Sequence, residues 1–302
     1  MREHVEITDL GELHWLLRIE VKREKESHSI SLLQRSYIEL IICHFSFEDS
    51  KPISTPIDPN SKILTTQSPS TGAQYASMHN VPYHEAVGAL MYAMLGTCPD
   101  ISFTVTIVSK FSSNPGIAHW EAVKHIYQYL IGSKDLWLSY GGGEKELVGF
   151  ADADGSMTED QHMTSGYVFL VDGGAVSWST KRQEIVLLSM TESEYITVTH
   201  ATKEELWLCS LIGQMFGPFP LDTATTLFSN NQSVIALLKD HQYNTCTKHI
   251  NIRFHFIRWI INDGKLHLIY CHTNDMIANM LTKALPSLKV KHFTTELGLC
   301  DA

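Results

Sequence analysis

Apolar and polar positions alternate along residues 13–21 and again along 29–33, on either side of a charged stretch, and this period of two predicts a β-hairpin. The period then lengthens. Tyr37, Leu40, Ile41 and His44 recur at helical spacing, and residues 83–95, 101–111 and 119–130 read as apolar helices, the first two split by Cys98-Pro99. Beyond Gly141 the short period returns: residues 147–151, 166–171 and 175–179 are predicted strands, with Asp172-Gly-Gly174 supplying a tight turn. A helix over 192–212, a strand over 225–229 and a short helix over 232–240 follow. Next comes a helix over 248–261 with Ile252, Phe256, Trp259 and Ile260 on one face, stopped by Asp263-Gly264; a strand over 266–270 and a closing helix over 275–285 complete the pattern. The order βββαβααβα predicts an α/β (α+β) layer fold whose mixed five-stranded sheet is flanked by helices, preceded by a mostly helical region with an N-terminal hairpin.

Two polar stretches divide this pattern. Residues 58–82, rich in Ser, Thr, Pro and Gln, read as a long loop, and the glycine-rich residues 140–146 as the main boundary, giving parts 1–140 and 146–302. A length of 302 residues allows two domains of ordinary size, and 44% apolar with 19% charged residues describes a soluble globular chain. No signal peptide or membrane span is expected, and six scattered cysteines without a CxxC pair fit a reducing compartment. The expected location is therefore intracellular, in cytoplasm or nucleus.

The formal charge of −10 argues against coating nucleic acid by bulk electrostatics. Its distribution differs: residues 244–291 carry an excess of five positive charges, including Lys248, Arg253, Arg258 and Lys283. With His249, these are candidate phosphate contacts, the alternative being the solvated side of an amphipathic helix.

The candidate chemistry centres on Asp152, at a predicted strand end, and Glu194, at the start of the predicted helix over 192–212. Carboxylates converging at strand ends can hold divalent metal for phosphodiester cleavage, because such ions require hard anionic oxygens. Competing structural readings make Asp152 a turn residue and Glu194 the closing member of a capping box begun by Thr191. Asp154 aligns with Asp152 only if the strand continues through Ala153, and Gly155 predicts a turn there. A calcium loop from Asp152 would need Gly and an acid where Met157 and Met163 stand. A zinc site from Cys246, His249, His255, Cys271 and His272 fails on ligand spacing.

Taken together, the segments resemble the C-terminal part of the Pol polyprotein of copia-type LTR retrotransposons. The resemblance rests on Asp9-Leu-Gly-Glu-Leu13, Ser54-Thr-Pro-Ile-Asp58, Gly88-Ala-Leu-Met-Tyr92, Pro99-Asp-Ile101, His119-Trp, Ser165-Gly-Tyr167, Val176-Ser-Trp-Ser179, Asn231-Gln-Ser233, Lys248-His-Ile250 and Leu281-Thr-Lys283. It implies that residues 1–140 are the end of a reverse transcriptase (end of palm, thumb, connection) and 146–302 an RNase H domain, which cuts RNA in RNA–DNA hybrids with Mg²⁺. The family's polymerase aspartates lie upstream of Asp9, so polymerisation by this chain alone is not expected. Arg18 stands where the family's hairpin has a glycine whose backbone approaches the primer.

Of the RNase H quartet, the resemblance places the first aspartate at Asp152 and the glutamate at Glu194, but the remaining two acids at Asn230 and Asn279. Two amides halve the site's formal negative charge, so Mg²⁺ binding and cleavage are expected to be weak or lost. Asn230 is expected to cap the helix that follows, and Asn279 to lie on the polar side of the last helix. The expected partners are an RNA–DNA hybrid or duplex and the rest of a Pol polyprotein, with no membrane; the alternatives are an inactive nucleic-acid-binding module and an active enzyme with a rearranged metal site.

Overall fold

The computed structural model describes residues 11–141, 146–154, 162–183, 189–216, 224–239 and 251–301, with the side chains of 239 and 251–254 left aside. The predicted first strand is in fact two, β1 (Trp15–Leu16) and β2 (Ile19–Glu24), folded back at Leu17 and Arg18 so that Leu16 faces Ile19. Both turn residues have positive φ, 50° and 63°. Arg18 thus occupies a left-handed position that glycine adopts freely and a residue with a Cβ adopts at a cost of about 1 kcal/mol. β3 (Ser29–Leu33) completes the hairpin, and α1 (Arg35–His44) follows.

The stretch read as a loop over 58–82 contains α2 (Gly72–Met78), which sequence periodicity missed because its capping box, Thr71 with Gln74, carries the signal while no apolar face does. α3 (Tyr83–Gly96), α4 (Ser102–Ser109) and α5 (Ile117–Ser133) match the predicted helices. Their apolar stripes meet in one core: Leu90, Ile101, Val108, Ile126 and Leu130 have no exposed surface. Buried tyrosines tie the helices across it, Tyr83 donating to the Val108 carbonyl at 2.8 Å and Tyr127 to that of Ala86 at 3.0 Å.

β4 (Trp137–Tyr140) pairs with β3 and precedes β5 (Leu147–Asp154), β6 (Thr164–Val171) and β7 (Gly174–Arg182). After α6 (Met190–Phe216) come β8 (Thr225–Ser229), α7 (Gln232–Lys239), α8 (Asn251–Asn262) and β9 (Leu266–Tyr270). The order β7-β6-β5-β8-β9, antiparallel on one side of β5 and parallel on the other, is the mixed five-stranded sheet that was expected. Of the expected face of α8, Ile260 is buried and Phe256 half-buried, but Trp259 is exposed and lies beside the Lys265 ammonium, and Ile257, outside that face, is buried instead.

The closing helix differs. Residues 277–281 form only a 3-10 turn, and Pro286 starts a separate helix, α9 (Ser287–Glu296), before β10 (Leu299–Cys300). β10 pairs with β4, so the chain's last strand joins the first sheet, ordered β1-β2-β3-β4-β10. Ile277, Met280, Leu281, Val290 and Phe293 share the core of α3–α5.

Asp100, in the 3-10 turn that precedes α4, is buried in that core and accepts from the Tyr129 hydroxyl at 2.6 Å, while its other oxygen has no partner. Burial, only partly offset by Tyr129, pushes its carboxyl up to about 6. The folded state therefore holds a proton that the unfolded chain, with an ordinary value of about 3.9, has released. Stability from this group is full below about pH 4 and is lost as pH rises towards 6. Urea melts across that window should show the decline, and Asp100→Asn should flatten it.

Candidate active site

β5 runs three residues further than periodicity indicated, through Asp154, because Asp152, Ala153 and Asp154 still pair with Gly166, Ser165 and Thr164. Asp152 and Asp154 therefore fall on one face. The turn signal of Gly155 does not end the strand before Asp154, and Asp154 joins the site. Asp152 is 1% exposed, so its two oxygens need protein donors. Oδ1 accepts from the Asn230 amide Nδ2 at 2.8 Å, and Oδ2 accepts from the Thr282 hydroxyl and from Lys283 Nζ at 3.3 Å. The same ammonium lies 3.2 Å from Asp154 Oδ2.

The segment that delivers Thr282 and Lys283 reaches Asp152 over Gly166. That residue faces Asp152 across the β5–β6 pair, and a Cβ there would lie 2.7 Å from Thr282 Cγ2 and 2.8 Å from Leu281 Cβ. The segment is held in place by Thr180, whose hydroxyl donates to the Leu281 carbonyl at 2.9 Å. Ser165-Gly-Tyr167 is thus a packing motif as much as a signature of ancestry.

Glu194 enters from α6. The helix begins at Met190 with Ser189 at its head, whose hydroxyl accepts from the Glu192 N–H at 3.2 Å, so the Thr191–Glu194 capping box does not form. Glu194 is buried against β5, and its Oε2 has no hydrogen-bond partner. Burial, then the neighbouring Asp152 charge, hold its carboxyl well above the usual range, with the Ala153 N–H and Lys283 opposing. A buried network fixes this end of α6: Gln183 Nε2 donates to Ser165 Oγ at 2.7 Å and to the Ser193 carbonyl at 3.0 Å. Burial acts to lower the Lys283 pKa, but Asp152 and Asp154 outweigh it and the net shift is upward.

The two amides behave differently from each other and from expectation. Asn231, not Asn230, caps α7, its Oδ1 accepting from the Ser233 and Val234 N–H groups at 3.0 and 3.1 Å. That leaves Asn230 to turn its N–H to Asp152. Asn279 is buried rather than on a polar face; its Nδ2 donates to the Thr273 carbonyl at 2.7 Å, and its Oδ1 has no partner.

Asp152, Asp154, Glu194, Asn230 and Lys283 line a cleft of about 450 Å³, and Asn279 does not. Of the candidate phosphate contacts, Arg258 donates to the Leu237 carbonyl at 3.3 Å, and Lys283 is held by the aspartates. Lys248 and His249 lie outside the described residues, as does the Arg253 side chain. Among the described residues no group of three His, Cys, Asp or Glu side chains is arranged to hold a metal ion. The donor pattern explains this. Both Asp152 oxygens are already taken by protein donors, and Asn230 presents an N–H where a metal needs an oxygen. As arranged, these residues do not fit a divalent ion.

The chain is 40% identical over 285 residues to a retrovirus-related Pol polyprotein from transposon TNT 1-94 of Nicotiana tabacum, an alignment covering 94% of this chain and 21% of that protein. It belongs to the copia-type retrotransposon Pol polyproteins. A second relative, the Pol polyprotein from transposon RE1 of Arabidopsis thaliana, is 30% identical over 99% of the chain. This Pol segment spans about a fifth of the length of these curated relatives. No family model matches it. Among solved structures, LC11-RNase H1 in complex with an RNA/DNA hybrid aligns at 12% identity with a TM-score of 0.35, covering 45% of this chain and 94% of that one. No helix among the described residues of the Pol segment is long and apolar enough to cross a membrane.

Gly166→Ala should lower stability by about 1–3 kcal/mol in urea melts, because overpacking displaces the residues that satisfy Asp152. Gly88→Ala, on α3 with nothing within 4 Å of its added methyl, should instead stabilise by about 0.5–1 kcal/mol.

Proposed function

We propose that the chain is the C-terminal segment of a copia-type Pol, with residues 1–140 from the end of the reverse transcriptase and 146–302 an RNase H-like domain that engages RNA–DNA hybrid or duplex but cleaves RNA weakly or not at all. The likeness to Pol polyproteins supports the substrate class. The reading on catalysis is carried by one observation: the Asn230 amide donates to Asp152, so that position supplies a proton donor instead of a metal-binding oxygen.

Asp152, Glu194, Asn230 and Asn279 stand at the ancestral catalytic positions. Two of them keep acids. Losing charge stabilisation from metal-positioning groups costs several kcal/mol of transition-state binding, or on the order of a hundredfold or more in rate. An active enzyme with Asp154 as a substitute ligand is less well supported, since Asp154 shares its oxygen with Lys283.

A labelled RNA–DNA hybrid tests both halves. Binding should weaken steeply from low to physiological salt, as phosphate contacts require. Cleavage with Mg²⁺ or Mn²⁺ should be near background and rise at least tenfold in the double variant Asn230→Asp, Asn279→Asp. Robust cleavage by the natural sequence that disappears in Asp152→Ala sinks the reading.

A further inference from the structure

We infer that Lys283 is the resident cation of the cleft, its ammonium neutralising the Asp152 and Asp154 pair beside Glu194 and standing where a divalent ion would otherwise bind. The inference rests on the cleft being the ancestral metal site, and it concerns the natural sequence with its two amides in place.

Three observations carry it. Lys283 Nζ lies 3.3 Å from Asp152 and 3.2 Å from Asp154, bridging two carboxylates that share one strand face. That placement is built into the main chain: the Lys283 N–H donates to the Asn279 carbonyl at 3.1 Å, and Gly166 admits the segment to the sheet. Glu194 adds a third carboxyl that lines the same cleft, 4% exposed, with Oε2 buried and lacking any hydrogen-bond partner. No donor meets that oxygen, since the one ammonium is already engaged by two aspartates and does not reach it.

An ammonium brings a single charge, but it is tethered, so its effective concentration at the cluster is high. A divalent ion must displace it and shed water, and Asn230 and Asn279 no longer supply the extra negative charge that would favour the exchange. With both acids restored the balance tips to the divalent ion; with both amides present the lysine holds the position. The ligand class of the lysine-free cluster is a hard divalent cation coordinated by carboxylate oxygens.

The test uses the whole chain with Mn²⁺ alone and no nucleic acid, read by electron paramagnetic resonance and calorimetry. Wild type and Lys283→Arg, which keeps the cation, should bind Mn²⁺ at least tenfold more weakly than Lys283→Met. The gain should vanish when Asp154→Asn is added. If Lys283→Met does not fold, as judged by circular dichroism, Lys283→Gln takes its place. Wild type binding as tightly as the lysine-free variant, or a gain that survives Asp154→Asn, overturns the inference. So does a rise in the wild-type melting temperature on adding millimolar Mn²⁺. Because nucleic acid is absent, such a failure leaves hybrid binding and cleavage to be judged separately.

Discussion

The close approach of residues 277–283 to β6 is the constraint on which the rest of the cleft depends. Gly166 has no side chain, so the Leu281 backbone comes near enough for Thr180 to bond its carbonyl and for the next two residues to reach Asp152. The same segment buries Ile277, Met280 and Leu281 in the core formed by α3, α4 and α5. One short stretch thus links the packing of the first part of the chain to the electrostatics of the cleft. Disturbing either end moves the donors that Asp152 requires.

Burial decides what those donors must do. An ionised carboxylate with almost no solvent contact is unfavourable unless its lone pairs are met, and Asp152 has three donors from two segments: Asn230 after β8, and Thr282 and Lys283 beyond the 3-10 turn. A second carboxylate in place of Asn230 would remove one donor and add a like charge. The amide therefore suits this cluster, as it is arranged, better than an acid would.

Much of this was legible in sequence. Strand and helix periods located the mixed sheet because its strands carry apolar residues at short spacing between turn residues, and the motif resemblance put Asp152, Glu194, Asn230 and Asn279 in order. What escaped was set by partners distant in sequence. β5 continues through Asp154 because β6 supplies hydrogen bonds to residue 164, which overrides the turn signal of Gly155. Where a helix over 275–285 was expected there is a 3-10 turn over 277–281 and a separate helix after Pro286, and Asn279 is buried within that turn. The cap belongs to Asn231, one residue along, a difference that propensity does not resolve since both are Asn. Lys283 was read as a phosphate contact from its charge alone; only the fold shows two aspartates already beside it.

The two amides, equivalent in an alignment of motifs, are not equivalent in space. Asn230 acts on Asp152 through its side chain, and that interaction is lost or reversed with the identity of the residue. Asn279 acts mainly through its backbone: its carbonyl accepts from the N–H groups of Thr282 and Lys283, at 3.2 and 3.1 Å, whatever side chain it bears. Its amide faces Thr273 instead of the cleft. An acid at 230 would enter the cluster directly and compete with Lys283 for Asp152. An acid at 279 would first have to give up a buried hydrogen bond and turn towards Asp152, so its effect on the cluster depends on the local rearrangement it can drive. The charge and hydrogen bonding of the cluster therefore depend most on the residue after β8, and the geometry that presents Lys283 on the residue within the 3-10 turn.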